Sequence, residues 1–224
     1  NAPFIVFDDA DVDAAVEGAM IAKFRNNGQT CVCANRIYVQ AGIYDTFAEK
    51  LAAAMDELKL GDGFGDGVTT GPLINKAALG KVEEHIDDAL SKGATLIKGG
   101  QRSNLGGTFY QPTLLSGVNQ SMKVARDETF GPLAPLVKFE HEDEAIAWSN
   151  DTEFGLASYF YTRDLARAWR VGEALETGMV GINTGAISTE LAPFGGVKQS
   201  GLGREGGHEG MFEFMESQYI SAAW

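Results

Sequence analysis

What most constrains this chain is the alternation of apolar runs with two different periods. Phe4-Ile5-Val6-Phe7 is a continuous apolar run of strand length, the pattern of a strand buried on both faces. Asp8-Asp9-Ala10-Asp11 follows as a cluster of acids competent to cap a helix. Val12, Val16, Ala19, Met20 and Phe24 then recur at the spacing of one buried helical face. Asn35 to Gln40 reads as a strand, and Ile43, Phe47, Leu51, Ala54, Met55 and Leu58 form the next amphipathic helix. Strand, helix, strand, helix implies an α/β architecture.

The rest of the chain continues the alternation. A helix is expected on Leu79, Val82, Ile86 and Leu90, then a strand from Thr95 to Lys98 and a strand-rich stretch from Tyr110 to Leu115. Leu133 to Phe139 reads as a strand and Asp143 to Trp148 as a short helix; Ser158 to Tyr161 is a strand. A helix on Leu165, Ala168, Trp169 and Leu175 leads into a buried strand over Gly178 to Asn183. Ser217 to Ala222 alternates like an exposed strand, an unpaired edge that invites a partner chain. The glycine-rich Gly61 to Gly67 lacks the lysine and Ser/Thr ending of a phosphate loop and is read as a surface loop.

At 224 residues the chain suits one large domain. No apolar run approaches the roughly 20 residues a membrane helix needs, and Asn1-Ala2-Pro3 carries no signal-peptide pattern. A cytoplasmic location is therefore expected. The net charge of -13 repels nucleic-acid phosphates and anionic membranes, so neither is expected as a partner. A buried strand so soon after the first residue suggests a piece of something longer. No metal-ligand spacing occurs, and His85, His141 and His208 lie in polar surroundings, where each is expected to be solvated.

The two cysteines, Cys31 and Cys33, stand at the junction between the first helix and the second strand, among Asn26, Asn27, Gly28, Gln29 and Thr30. The commonest fate of a free cysteine is a small buried hydrophobe, and the residues alone leave that reading open. An electropositive, amide-rich, partly exposed setting would instead favour thiolate, and Arg25 with the local backbone could supply it. A disulfide framework is not available to a pair separated by one residue.

Asn27-Gly28-Gln29-Thr30-Cys31 resembles the catalytic cysteine segment of the aldehyde dehydrogenases. Asp127-Glu128-Thr129-Phe130-Gly131-Pro132, Asn150-Asp151-Thr152-Glu153-Phe154-Gly155-Leu156-Ala157 and Ala192-Pro193-Phe194-Gly195-Gly196 through Glu205 resemble three further segments, in the same order. The resemblance covers essentially the whole chain as the catalytic domain of that family. It implies a mostly parallel sheet flanked by helices over residues 1–215, a C-terminal oligomerisation strand over 216–224, a homodimer or homotetramer, and a cofactor domain outside this chain.

Within the family the resemblance is strongest to the succinate-semialdehyde dehydrogenases, through Arg25, the Cys31/Cys33 pair and Ser188. The implied substrate is succinate semialdehyde and the cofactor NAD or NADP. Cys31 is the implied nucleophile, with its own backbone N–H as one oxyanion donor. Glu128 is implied to accept hydrogen bonds from ribose hydroxyls, and Phe130 to pack beside the nicotinamide. Arg25 and Ser188 would hold the substrate carboxylate, Phe194 would line the substrate entrance, and Cys33 is a possible redox partner of Cys31. Lys198 and Arg204 are equally well read as structural ion-pair residues. The water-activating glutamate belongs to a Glu-Leu-Gly-Gly stretch that would directly precede Asn1, so residues 1–224 alone are expected to fold without catalysing aldehyde oxidation. The rival reading, a cysteine hydrolase, would need a histidine beside Cys31.

Overall fold

The computed structural model describes all residues, 1–224. The first apolar run forms β1 (Ala2–Val6), with alternate side chains serving two different cores. Phe4 and Val6 pack with α1 (Val12–Phe24) and α2 (Tyr44–Ala54), while Ile5 and the following Phe7 pack with the helices of the opposite layer. That layer is α3 (Lys76–Ser91), the single turn α4 (Lys123–Arg126), α5 (Glu142–Asn150) and α6 (Leu165–Ala174). A strand covered on both faces has no polar side to alternate, which is why the run is apolar throughout.

The remaining strands of the main sheet are β2 (Ala34–Gln40), β3 (Thr95–Lys98), β4 (Thr113–Ser116), β5 (Leu133–Phe139), β7 (Ala157–Tyr161) and β8 (Met179–Ile182). The order is β3-β4-β5-β2-β1-β7-β8. Every pairing is parallel except that of β3, which runs antiparallel to β4 at one edge. The mostly parallel sheet flanked by helices is thus as expected. The short β6 (Phe154–Gly155) and β9 (Val197–Lys198) form a separate antiparallel ribbon that joins two of the segments the resemblance singled out.

Several expectations need correction. The strand at Gly178 to Asn183 is not fully buried: β8 is the other edge of the sheet, and Ile182 is 43% exposed. Ser217 to Ala222 forms no strand within this chain; the segment is exposed and makes no ladder. Leu90 of α3 faces solvent. His85, expected in water, is 2% exposed.

Acidic caps hold the layers together. Asp11 caps α1, its Oδ1 accepting from the Ala14 N–H at 3.2 Å. Asp9 reaches across instead to α6: it accepts from the Arg163 and Asp164 N–H groups, the Thr162 hydroxyl and, at 2.7 Å, Arg167 Nη1. Arg167 Nε also donates to Glu142 at 2.9 Å, and its guanidinium lies over the Phe7 ring. The buried Arg36 donates to the carbonyls of Asn1, Trp148 and Ser149. It thereby satisfies the end of α5, where carbonyls lack helical partners, and ties β1 to it.

Candidate active site

The segment after α1 turns sharply because Asn26, Asn27 and Gly28 all take positive φ (51°, 58° and 73°). Asparagine and glycine tolerate that region best. At Gly28 a side chain is excluded as well, since a Cβ would lie 2.2 Å from the Gly131 carbonyl oxygen. The turn is stitched to residues 71–74. Asn27 Nδ2 donates to Gly71 O (2.9 Å), Gln29 Nε2 donates to Pro72 O (3.2 Å), and the Ile74 N–H donates to Gln29 Oε1 (2.9 Å). The Tyr159 hydroxyl on β7 donates to Val32 O at 2.8 Å, fixing the backbone between the two cysteines. Burial, reinforced by the neighbouring Cys33, pushes the Tyr159 pKa far up, so this donor stays protonated.

The two thiols have different fates. Cys31 is exposed and Cys33 is buried. Cys33 Sγ lies 3.4 Å from the ammonium of Lys23, which is itself 0% exposed and also donates to Asn35 Oδ1 at 3.3 Å. Lys23 sits seven residues after Val16 on the same helical face, among the apolar stripe. The small-hydrophobe reading therefore fits Cys33 and fails for Cys31. The Cys31 N–H makes no backbone hydrogen bond within the chain, which leaves a donor free beside its thiol.

Cys31 opens onto a cleft of about 220 Å³ lined also by Asn1, Glu128, Phe154, Leu156, Gln199 and Ser200. Apart from Gln199 and Ser200, which follow β9, each segment that reaches it runs toward the amino end of a strand of the main sheet: Asn1 before β1, Cys31 before β2, Glu128 before β5, Phe154 and Leu156 before β7. The cleft thus lies at the amino edge of the sheet, whereas open α/β sheets commonly bind ligands at the carboxyl edge. Glu128 also opens onto a second cleft of about 540 Å³, shared with Lys81, Arg126, Asp127 and Asp151. Phe130 beside it is half-buried.

Of the residues singled out in the sequence, Cys31 and Glu128 are brought together in one cleft. Arg25 is exposed, takes part in no ion pair or side-chain hydrogen bond, and its charge pulls the Tyr159 pKa down against the larger effect of burial. Ser188 is exposed on the loop after β8, and Phe194 packs partly against the core; neither lines the cleft beside Cys31. Lys198 pairs with Glu176, whereas the Arg204 guanidinium donates to the carbonyls of Gly196 and Gly203 and to no carboxylate, only its backbone N–H reaching Glu213 Oε1. No histidine lines the cleft. Phe154, Leu156, Gln199 and Ser200 were not singled out as cleft residues, although all four lie in the quoted segments. What joins them is the β6/β9 ribbon and the Gly155 N–H donating to Ser200 Oγ at 2.9 Å, long-range pairings that no local pattern announces.

A model of the Aldehyde dehydrogenase family matches residues 1–220. The chain is 66% identical over 220 residues to a 3-sulfolactaldehyde dehydrogenase of Pseudomonas putida, which covers 98% of this chain and 45% of that protein. It is 65% identical to a glutarate-semialdehyde dehydrogenase of Pseudomonas aeruginosa, covering 98% and 46%. With the NADP(+) succinate-semialdehyde dehydrogenase of Escherichia coli it shares 63%, again covering 98% and 46%. The crystal structure of succinate-semialdehyde dehydrogenase from Burkholderia pseudomallei superposes with a TM-score of 0.95 at 65% identity, covering 96% of this chain and 44% of that one. The chain thus spans less than half the length of these relatives.

Proposed function

The chain belongs to the aldehyde dehydrogenase family, and from that premise we propose that residues 1–224 carry the nucleophile of an NAD(P)-dependent enzyme oxidising a short aldehyde with an anion at its far end. Succinate semialdehyde is the first candidate. The observation that carries this reading is the exposed Cys31 thiol sharing one cleft with Glu128.

The steps follow from the chain's own groups. Cys31, as thiolate, attacks the aldehyde carbon and forms a thiohemiacetal, whose oxyanion accepts from the free Cys31 N–H. A bound nicotinamide cofactor would supply the acceptor for the hydride on that carbon. A thioester on Cys31 remains, and water cleaves it to the carboxylic acid and the free thiol. The base that activates this water and the second oxyanion donor are assigned to residues outside 1–224. Glu128 fits a ribose because its carboxylate is partly exposed and opens onto both clefts. Phe130 beside it would give the nicotinamide an apolar wall.

The names of the three relatives support the anionic substrate. Sulfolactaldehyde carries a sulfonate, and glutarate and succinate semialdehydes carry a carboxylate. Arg25, exposed and without a carboxylate partner, suits any of these, with Ser188 as an added donor and Phe194 on the approach. Whether the cofactor is NAD or NADP turns on residues outside this chain. The 216–224 tail is assigned to assembly, as a homodimer or homotetramer. Cys33 is kept as the redox partner of Cys31, a bond that would require it to leave Lys23.

The test is to incubate the whole protein with succinate semialdehyde and cofactor, quench with acid, and map adducts by mass spectrometry. A thioester on the Cys31 peptide, absent in Cys31→Ser, is expected. Turnover retained by Cys31→Ser would overturn the reading.

A further inference from the structure

Residues 128–130 form a turn with an unusual lack of internal support. None of the three makes a backbone-to-backbone hydrogen bond, and Phe130 holds a φ of 54°, a region costly for a residue with a bulky side chain. Such a conformation persists only where surroundings impose it. Two contacts come from α3. Val82 lies flush against Gly131, where a Cβ would come within 2.5 Å of its Cγ2. One turn along the same face, His85 Nδ1 is hydrogen-bonded to Thr129 Oγ1 at 2.9 Å. Both partners are almost wholly buried, at 2% and 1% exposure. Thr129 makes no other side-chain hydrogen bond.

We propose that His85 is a positioning residue: through the Thr129 hydroxyl it fixes the turn, so that Glu128 and Phe130 present their side chains to the cofactor in one orientation. The proposal rests on the reading of those two residues as cofactor contacts. Thr129 lies between them, so rotation of its peptide groups would re-aim both neighbours at once. Burial pushes the His85 pKa down, and Lys81 and Lys123 act in the same sense against Asp127 and Glu84. The ring is therefore neutral at physiological pH, with one nitrogen to donate and one to accept.

The experiment uses the whole protein and the variants His85→Ala, His85→Asn, Thr129→Val and the double His85→Ala/Thr129→Val. Reduced-cofactor affinity is measured by fluorescence, the Cys31 labelling rate by iodoacetamide, and the φ of Phe130 by crystallography. We expect His85→Ala and Thr129→Val each to weaken cofactor binding about fivefold to tenfold, as loss of one buried hydrogen bond would. The double variant should be no worse than either single, and His85→Asn should restore most of the affinity. The Cys31 labelling rate should change less than about twofold, and Phe130 should leave the left-handed region in His85→Ala. Unchanged affinity with Phe130 in place, or a matching fall in Cys31 labelling, would overturn the proposal. Glu128→Ala and Phe130→Ala separate the two readings. If they leave affinity intact, the cofactor assignment fails, while the crystallographic φ still decides whether His85 holds the turn.

Discussion

Arg25 offers the sharpest test of substrate choice at the scale of single residues. A guanidinium that binds a carboxylate through paired charged hydrogen bonds should, when replaced by alanine in the whole enzyme, cost about 2–3 kcal/mol in kcat/KM for succinate semialdehyde. Butanal, of similar length and uncharged, should lose little; steady-state kinetics on both aldehydes decides, and equal losses would show that Arg25 supports the fold instead. The neighbouring thiols mark how far residues could be read from the sequence. Cys31 was legible through the asparagine, glycine and glutamine before it, but the burial of Cys33 was not, because it depends on Lys23 entering an apolar face. His85 was misread for a related reason. Glu83, Glu84, Asp87 and Asp88 make its surroundings look polar, yet helical spacing sets it beside Val82, Ile86 and Ala89 on the buried stripe. Periodicity outweighs local composition when a helix packs on a sheet.

Elements were largely legible, since a strand covered on both faces and an amphipathic helix leave different apolar periods. Their partners were not. The acids after β1 were expected to cap the helix that follows, and Asp11 does, but Asp9 instead holds the turn into α6, far along the chain, accepting from the N–H groups of Arg163 and of the cap residue Asp164. The edge position of β8 was equally hidden, because its apolar residues look alike whether a neighbour strand is present or absent. The Asp9 carboxyl feels partial burial, which pushes its pKa up, but the Thr162 hydroxyl, the Arg163 and Asp164 N–H groups and Arg167 outweigh this and hold it below the usual range. A depressed carboxyl pKa contributes stability that is present above the unfolded value, about 4, and is lost as pH falls through the folded value. Asp9→Asn should therefore cost about 1 kcal/mol at pH 7, and the gap to the wild type should close in acid, as the pH falls through the folded value and Asp9 itself becomes protonated. Urea titrations at pH 7 and in acid measure this; a gap that persists in acid would show that side-chain shape, not charge, matters.

At the scale of the whole molecule the two ends of the sheet do different work. Asn1, Cys31, Glu128 and Phe154 gather at the amino edge. Asp9, Glu142, Thr162 and Arg167 gather beyond the carboxyl ends of β1, β5 and β7. The five residues of β1, at roughly 3.3 Å each, put about 16 Å between these edges, beyond the range over which substitutions usually couple. This spacing separates two traits on which selection acts. Lineages that moved to hotter or more acid surroundings could retune the carboxyl-edge ion network without disturbing which aldehyde is oxidised, and a change of substrate need not have waited for a compensating gain in thermal tolerance. Combining Asp9→Asn with Arg25→Ala in the whole enzyme should accordingly give stability and kcat/KM losses that add to within about 0.5 kcal/mol, so that each trait evolves on its own fitness axis.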